Sequence, residues 1–163
     1  MSIRIYKPTS NGRRRSSVAV TKDLSGARPS RALRVIKKQF AGRASHGKIS
    51  VRHRGGGEKR FLRVIDGRRE KFDMPAKVIG VEYDPNRGAR LMLLEYTDGV
   101  KAYSIAPEGV VEGAMVVSSR GPVELVSGNR TTFANIPVGL EVYDIEIQPG
   151  KGGKLIRSAG TAA

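Results

Sequence analysis

The net positive charge of this chain is confined to one end, and that limits where a folded body can lie. Residues 1–71 carry 21 Lys and Arg against 4 Asp and Glu, a net of +17; residues 72–163 carry 9 against 11, a net of −2. A stretch so cationic cannot bury enough apolar surface to offset its ordering entropy. Its first part, to about residue 46, is therefore expected to be disordered alone and ordered by a partner that neutralises it. The nearly neutral remainder can hold a core. Such asymmetry points to a polyanion partner. There is no Cys, which excludes a disulfide scaffold, a thiol nucleophile and thiolate metal sites. No apolar run approaches the roughly 18 residues of a membrane span, and no signal-peptide stretch opens the chain.

Beyond the basic arm the sequence reads as all-β. Candidate strands lie at 49–52, 61–66, 77–83, 91–96, 100–105, 115–118, 123–126 and 140–147, each rich in Val, Ile, Leu or Tyr and bounded by Gly, Pro, Asp or Asn. Short strands with turn signals between them indicate a barrel or sandwich. Within the arm, Leu33, Ile36 and Phe40 recur at helical spacing and suggest a short helix over 30–40. Asp98-Gly99 reads as a two-residue hairpin loop, which would pair Tyr96 with Lys101, Leu94 with Tyr103 and Met92 with Ile105 on one face. Asp84-Pro85-Asn86-Arg87-Gly88 is a second turn, expected to project Arg87 from its tip. A third break near Ser127-Gly128-Asn129 marks a domain boundary.

Two segments carry chemistry. HGKISVRHRGGGEKRFLR, 46–63, has Lys, Arg or His at eight of its eighteen positions, and alternation places Lys48, Ser50 and Arg52 opposite Ile49 and Val51. Gly55, Gly56 and Gly57 keep no side chain between backbone and phosphate, and their amides suggest an anion nest. PGKGGKLIRSAGT, 149–161, repeats that chemistry with Lys151, Lys154 and Arg157. It fails as a phosphate-binding P-loop, because Leu155 follows Gly153-Lys154 and Gln148 stands where the first Gly belongs. His46 and His53 lack further ligands for a metal. No G-x-S-x-G nucleophile motif is present. A nucleic-acid enzyme would need clustered carboxylates, whereas the acids here are scattered singly. A free-standing nucleoid or membrane-surface protein would bind DNA, RNA and anionic vesicles alike.

Five segments in order, KPTSNGRRR at 7–15, GRASHGKISVRHRGGGEKR at 42–60, EYDPNRGA at 82–89, NIPVG at 135–139 and PGKGGKLIRSAGT at 149–161, resemble the family of ribosomal protein L2 of the large subunit. The resemblance implies a basic N-terminal extension over 1–47, an OB-like RNA-binding barrel over 48–127, and the first, incomplete part of an SH3-like barrel over 128–163. It implies a structural, non-enzymatic constituent that binds large-subunit ribosomal RNA and supports assembly, subunit association and the peptidyl-transferase region. Implied partners are that RNA, neighbouring ribosomal proteins and the small subunit across a bridge, with no cofactor, metal, membrane or small-molecule substrate. The implied location is the cytoplasmic ribosome rather than an organellar one. By the same resemblance the strongest contacts fall to Arg87 and Arg157. Lys48, Arg52, His53, Arg54, Lys59 and Arg60 match the RNA-packed segment, and Lys7, Arg13, Arg14 and Arg15 match the arm. Arg43, Arg63, Arg68 and Arg69 complete the expected set. The family has His where this chain has Glu58. It also continues beyond the position of Ala163 into a histidine-bearing tail, so that tail's histidine has no counterpart in this sequence.

Overall fold

A computed structural model describes residues 3–21 and 24–163. Strands β1 (Ile3–Ile5) and β2 (Ser17–Ala19) form an antiparallel ribbon, as do β3 (Arg34–Lys37) and β4 (Arg60–Arg63). A four-stranded antiparallel sheet, β5 (Ala76–Glu82), β6 (Leu91–Tyr96), β7 (Lys101–Ile105) and β8 (Met115–Val116), runs in the order β7-β6-β5-β8 and curls into half a barrel. One 3-10 turn, Phe133–Asn135, is the sole helical element among the described residues. The chain is all-β, with an OB-like sheet at its centre.

The run Leu91-Met92-Leu93-Leu94 explains why this sheet is the core. It is apolar without alternation, as a strand covered on both faces must be. Met92, Leu94 and Tyr96 meet Ala76, Val78 and Val116 on one face, while Leu91 meets Tyr103, Ile105 and Ala89 on the other. Leu91, Met92 and Leu94 are fully buried, each side chain contributing roughly 1.5–3 kcal/mol over its exposed state. Leu33 from the arm and Tyr143 from the C-terminal segment pack on the second face.

Several sequence expectations change. The 30–40 segment is no helix: Val35 and Ile36 pair with Leu62 and Phe61, and Phe40 stays 72% exposed. Two adjacent β-branched residues with a partner strand outweigh a helical spacing that has nothing to bury against. The hairpin register also moves by one residue. Gly99 adopts φ +78°, its amide donates to Tyr96 O (2.8 Å) and the Tyr96 amide to Val100 O (3.0 Å). The loop therefore holds three residues, with Gly99 in the left-handed position. Leu94 faces Ala102 and Met92 faces Ser104, which sends Tyr103 and Ile105 to the opposite face. No strand forms at 49–52, 123–126 or 140–147; only the isolated bridges Arg43↔Ile49 and Ile145↔Leu155 occur there. Ile49 and Val51 remain exposed, so no packing drives their alternation into a strand.

The extension is divided. Its first part, the β1–β2 ribbon, is exposed at every strand residue, and no hydrogen bond among the described residues joins 3–19 to the rest. Its second part is moored. The Ser25 amide donates to Val81 O (2.8 Å) and the Ser30 amide to the Tyr103 hydroxyl (3.0 Å), which itself donates to Glu82 Oε2 (2.9 Å). Burial chiefly, and the Glu82 carboxylate, push the Tyr103 hydroxyl up to about 12, so it stays a donor. The Ser25 contact falls at a β-bulge of β5. There Gly80 allows a close approach, since a Cβ would stand 3.2 Å from the Ser25 Cβ and 3.0 Å from Glu112 Oε1, and these side chains would have to give way.

Candidate nucleic-acid interface

The 84–88 turn is built around one buried carboxylate. Asp84 is fully buried, and its Oδ1 accepts from the Asn86 amide (2.9 Å) and side chain (3.1 Å). Its Oδ2 accepts from Arg87 Nη1 (2.6 Å), and Arg63 Nη1 lies 3.5 Å from Oδ1. Burial acts to raise the carboxyl, but these donors outweigh it and hold it below its ordinary value. The turn is also tied to β4: Asn86 Nδ2 donates to Phe61 O (2.8 Å) and Arg60 Nη1 to Pro85 O (2.8 Å). Arg87 is thus half-buried and held back against Asp84, where the sequence suggested a freely projecting side chain.

On the β3–β4 ribbon, Arg34 stands opposite Arg63 and Lys37 opposite Arg60. Facing like charges disfavour pairing unless an anion intervenes. Arg63 has Asp84, and Arg34 lies 4.6 Å over the Phe61 ring. Beside them Lys37, Lys38, Gly56, Gly57 and Lys59 share a shallow hollow of about 400 Å³. Lys37 and Lys38 are missing from the sequence-derived set, because the helix read at 30–40 hid the strand that brings them here. The adjacent Val35-Ile36 pair was the available signal.

The glycine-rich segment differs from its reading. A loop closes over 42–51: Ser50 and Val51 amides donate to Gly42 O (2.9 and 3.0 Å), and Arg43 Nη1 to Gly47 O (2.9 Å). Gly42 has φ +70°, and a Cβ there would strike Val51 O. Arg43, Arg52, His53, Arg54, Gly55 and Gly56 line a second hollow of about 260 Å³, and Lys48 is exposed nearby. Gly55, Gly56 and Gly57 have no left-handed φ, and the Gly57 amide donates to Gln39 Oε1 (2.8 Å), so no nest of converging amides forms. The three glycines lie exposed among cations instead.

In the C-terminal segment the glycines serve packing. Gly152 and Gly153 are buried. The Gly153 amide donates to Gly67 O (3.0 Å) and the Gly152 amide to Glu146 Oε1 (2.6 Å). A Cβ on Gly152, at φ +82°, would lie 2.9 Å from Gly67 O, and one on Gly153 would collide with the Asp144 carboxylate. Lys151 and Lys154 remain exposed beside them. Arg157 is half-buried, its Nε 3.2 Å from Asp144 Oδ1 but not aligned for a hydrogen bond. Burial pushes the Asp144 carboxyl above its ordinary value despite Arg157, Arg130 and Arg69. Asp144 (φ +50°) and Ile156 (φ +52°) are both left-handed, a strained state for a β-branched residue next to Arg157. Gly153→Ala is expected to cost about 1–3 kcal/mol in urea unfolding, as an overpacked site does; a loss below a few tenths would show that the loop yields easily.

Two members of the expected set turn inward. Arg63 is 8% exposed against Asp84, and Arg69 is 5% exposed with Nη1 donating to Gly128 O (2.8 Å). Burial lowers the Arg69 guanidinium from its usual value. Both hold the fold together. Arg68 is exposed on the same loop, where Asp66 Oδ1 accepts from the amides of Arg68 and Arg69. At the other end, Lys7, Arg13, Arg14 and Arg15 are exposed on the β1–β2 ribbon. Its tip is turned by Arg13 and Arg14 amides donating to Ser10 O (3.1 and 3.0 Å), and Arg13 lies 5.3 Å over the Tyr6 ring.

The outward-facing cations therefore stand on several separate pieces: the ribbon tip, β3 with the 42–60 segment, the loop of Arg68, the 84–88 turn with β4, and the 149–157 segment. Among the described residues no group of three or more His, Asp or Glu side chains is placed to hold a metal, and no helix is long and apolar enough to cross a membrane. A family model described as Ribosomal Proteins L2, RNA binding N-terminal domain, matches residues 30–118, a span from the mooring of Ser30 through β8.

Proposed function

Because the chain belongs to the family of ribosomal protein L2, we propose that it is a structural constituent of the large ribosomal subunit, holding ribosomal RNA in place during assembly, subunit association and around the peptidyl-transferase region. The observation that carries this reading is the sorting of charge. Acids at the core edge, such as Asp84, Glu82 and Asp144, turn inward, while the Lys and Arg other than Arg63 and Arg69 stand mostly outward on loops. Such a surface neutralises phosphates and reads shape rather than base sequence. Its few aromatics, 6% of residues, make base stacking secondary.

On this reading residues 1–47 are the extension, 48–127 the barrel and 128–163 the start of an SH3-like barrel. Neighbouring ribosomal proteins and the small subunit are further partners, in a cytoplasmic ribosome, and no catalysis by the chain itself is involved. The RNA-facing roles fall to Arg87 and Arg157, with Lys7, Arg13, Arg14, Arg15, Arg43, Lys48, Arg52, His53, Arg54, Lys59, Arg60, Arg68, Lys151 and Lys154 around them.

The test is the affinity of the full chain for a large-subunit ribosomal RNA fragment, a duplex DNA and anionic vesicles at one salt concentration. The RNA should bind tightest, and Arg87→Ala should weaken it by roughly 1.5–3 kcal/mol, as removal of a charge-assisted hydrogen bond does. Equal affinity for all three would overturn the proposal.

A further inference from the structure

Two ion pairs differ from the others among the described residues. Arg87, with its side chain 29% exposed, pairs with Asp84 at 0%, and Arg157 at 38% pairs with Asp144 at 14%. Elsewhere the partners are matched in exposure, as in Arg68 with Glu70 or Arg130 with Glu146, or both lie inside, as in Arg63 with Asp84. We propose that Asp84 and Asp144 are positioning residues, each fixing from beneath the guanidinium that meets a ribosomal RNA phosphate. The inference rests on the RNA-binding reading above.

A buried carboxylate is costly, and apolar packing of the same volume commonly serves stability as well. Asp144 shows the cost directly, since its Oδ1 is buried without an aligned donor. What a carboxylate does that an apolar group cannot is to orient a cation. A guanidinium is a rigid planar fork with five N–H donors, so holding one edge sets the plane of the rest. Asp144 holds Arg157 by charge, 3.2 Å from Nε without an aligned hydrogen bond, which leaves both Nη groups, the pair suited to two phosphate oxygens. Asp84 engages Nη1 of Arg87 and leaves the remaining donors. An unrestrained arginine gives up its rotamer freedom when it meets RNA, whereas a paired one has already given it up on folding. The two arrangements have different origins. Asp84 and Arg87 belong to one turn, while Asp144 and Arg157 come from two segments joined by the Asp144 amide donating to Ile156 O (2.9 Å). Gly153 admits the Asp144 carboxylate where any Cβ would exclude it.

The sign of one substitution tests this. Asp144→Asn keeps the shape and removes a negative charge close to the proposed RNA surface. Repulsion alone predicts tighter binding. Positioning predicts binding weakened about three- to tenfold, the effect of one side chain left to be ordered on binding. It also predicts no further weakening when Asp144→Asn is added to Arg157→Ala. The variant's thermal midpoint should hold or rise, since burial already disfavours the Asp144 carboxylate. Unchanged or tighter binding by the folded variant, or losses that add to those of Arg157→Ala, would overturn the proposal. Asp84→Asn with Arg87→Ala forms a second cycle; because Asp84 also compensates Arg63, the Asp144 cycle decides alone if Asp84→Asn unfolds. A wild-type chain that ignores the RNA fragment overturns both readings, while one that binds it as before alongside an unaffected Asp144→Asn overturns only this one.

Discussion

Asp84→Ala is expected to lower the unfolding free energy by about 3–5 kcal/mol, the cost of removing one partner from a buried ion pair. Three residues lose their acceptor at once. Arg63 is left charged and buried, the Asn86 amide and side chain lose their bond, and Arg87 loses its hold. The turn also anchors β4 through Asn86 to Phe61 O and Arg60 to Pro85 O, so the β3–β4 ribbon should loosen with it. Asp84→Asn keeps an acceptor for the Asn86 amide and should lose less. The pH dependence has a fixed sign. The folded carboxyl lies below its ordinary value of 3.8, so its contribution is present above that value and disappears as pH falls through the lower folded one. Urea unfolding of wild type and Asp84→Asn in this acid range checks it: the variant's stability should vary less with pH. A change under about 1 kcal/mol for Asp84→Ala would show that the turn does not depend on its buried carboxylate.

Deleting residues 1–20 is expected to leave the sheet folded and to make RNA binding far less sensitive to salt. The deletion takes Arg4, Lys7, Arg13, Arg14 and Arg15 and no acid. Each phosphate that is no longer neutralised flattens the plot of log K against log salt by about 0.7–0.9. If all five cations engage, the slope changes by roughly 3.5–4.5. The cut must stop there, because Ser25, Ser30, Leu33 and β3 belong to the folded body. An unaltered slope would show that the ribbon touches no phosphates.

The basic arm, the strands at 77–83, 91–96 and 100–105, and the 84–88 turn were all legible in the sequence, because each has a local signal: composition, apolar runs or turn residues. What failed depended on distant partners. Nothing near Arg63 or Arg69 announces that Asp84 or Gly128 will receive them, so both read as surface cations. The role of Gly153 is set by Asp144 and that of Gly152 by Gly67, and no pattern within PGKGGK distinguishes packing from phosphate approach. The hairpin register turned on one residue, since Asp-Gly suits either a two-residue loop or the end of a three-residue one. β3 was missed because it is half of a pair whose other strand lies more than twenty residues on.

The mooring of Ser25 and Ser30 has a kinetic consequence. Ala19, the end of the free ribbon, is six positions from Ser25 in sequence. On the proposed RNA-binding reading, once the barrel has docked the ribbon no longer searches bulk solution. A short tether presents it at an effective concentration in the millimolar range, so its capture is intramolecular. Either attachment can then let go briefly and re-form before the molecule escapes, which makes dissociation slow even where each attachment alone is weak.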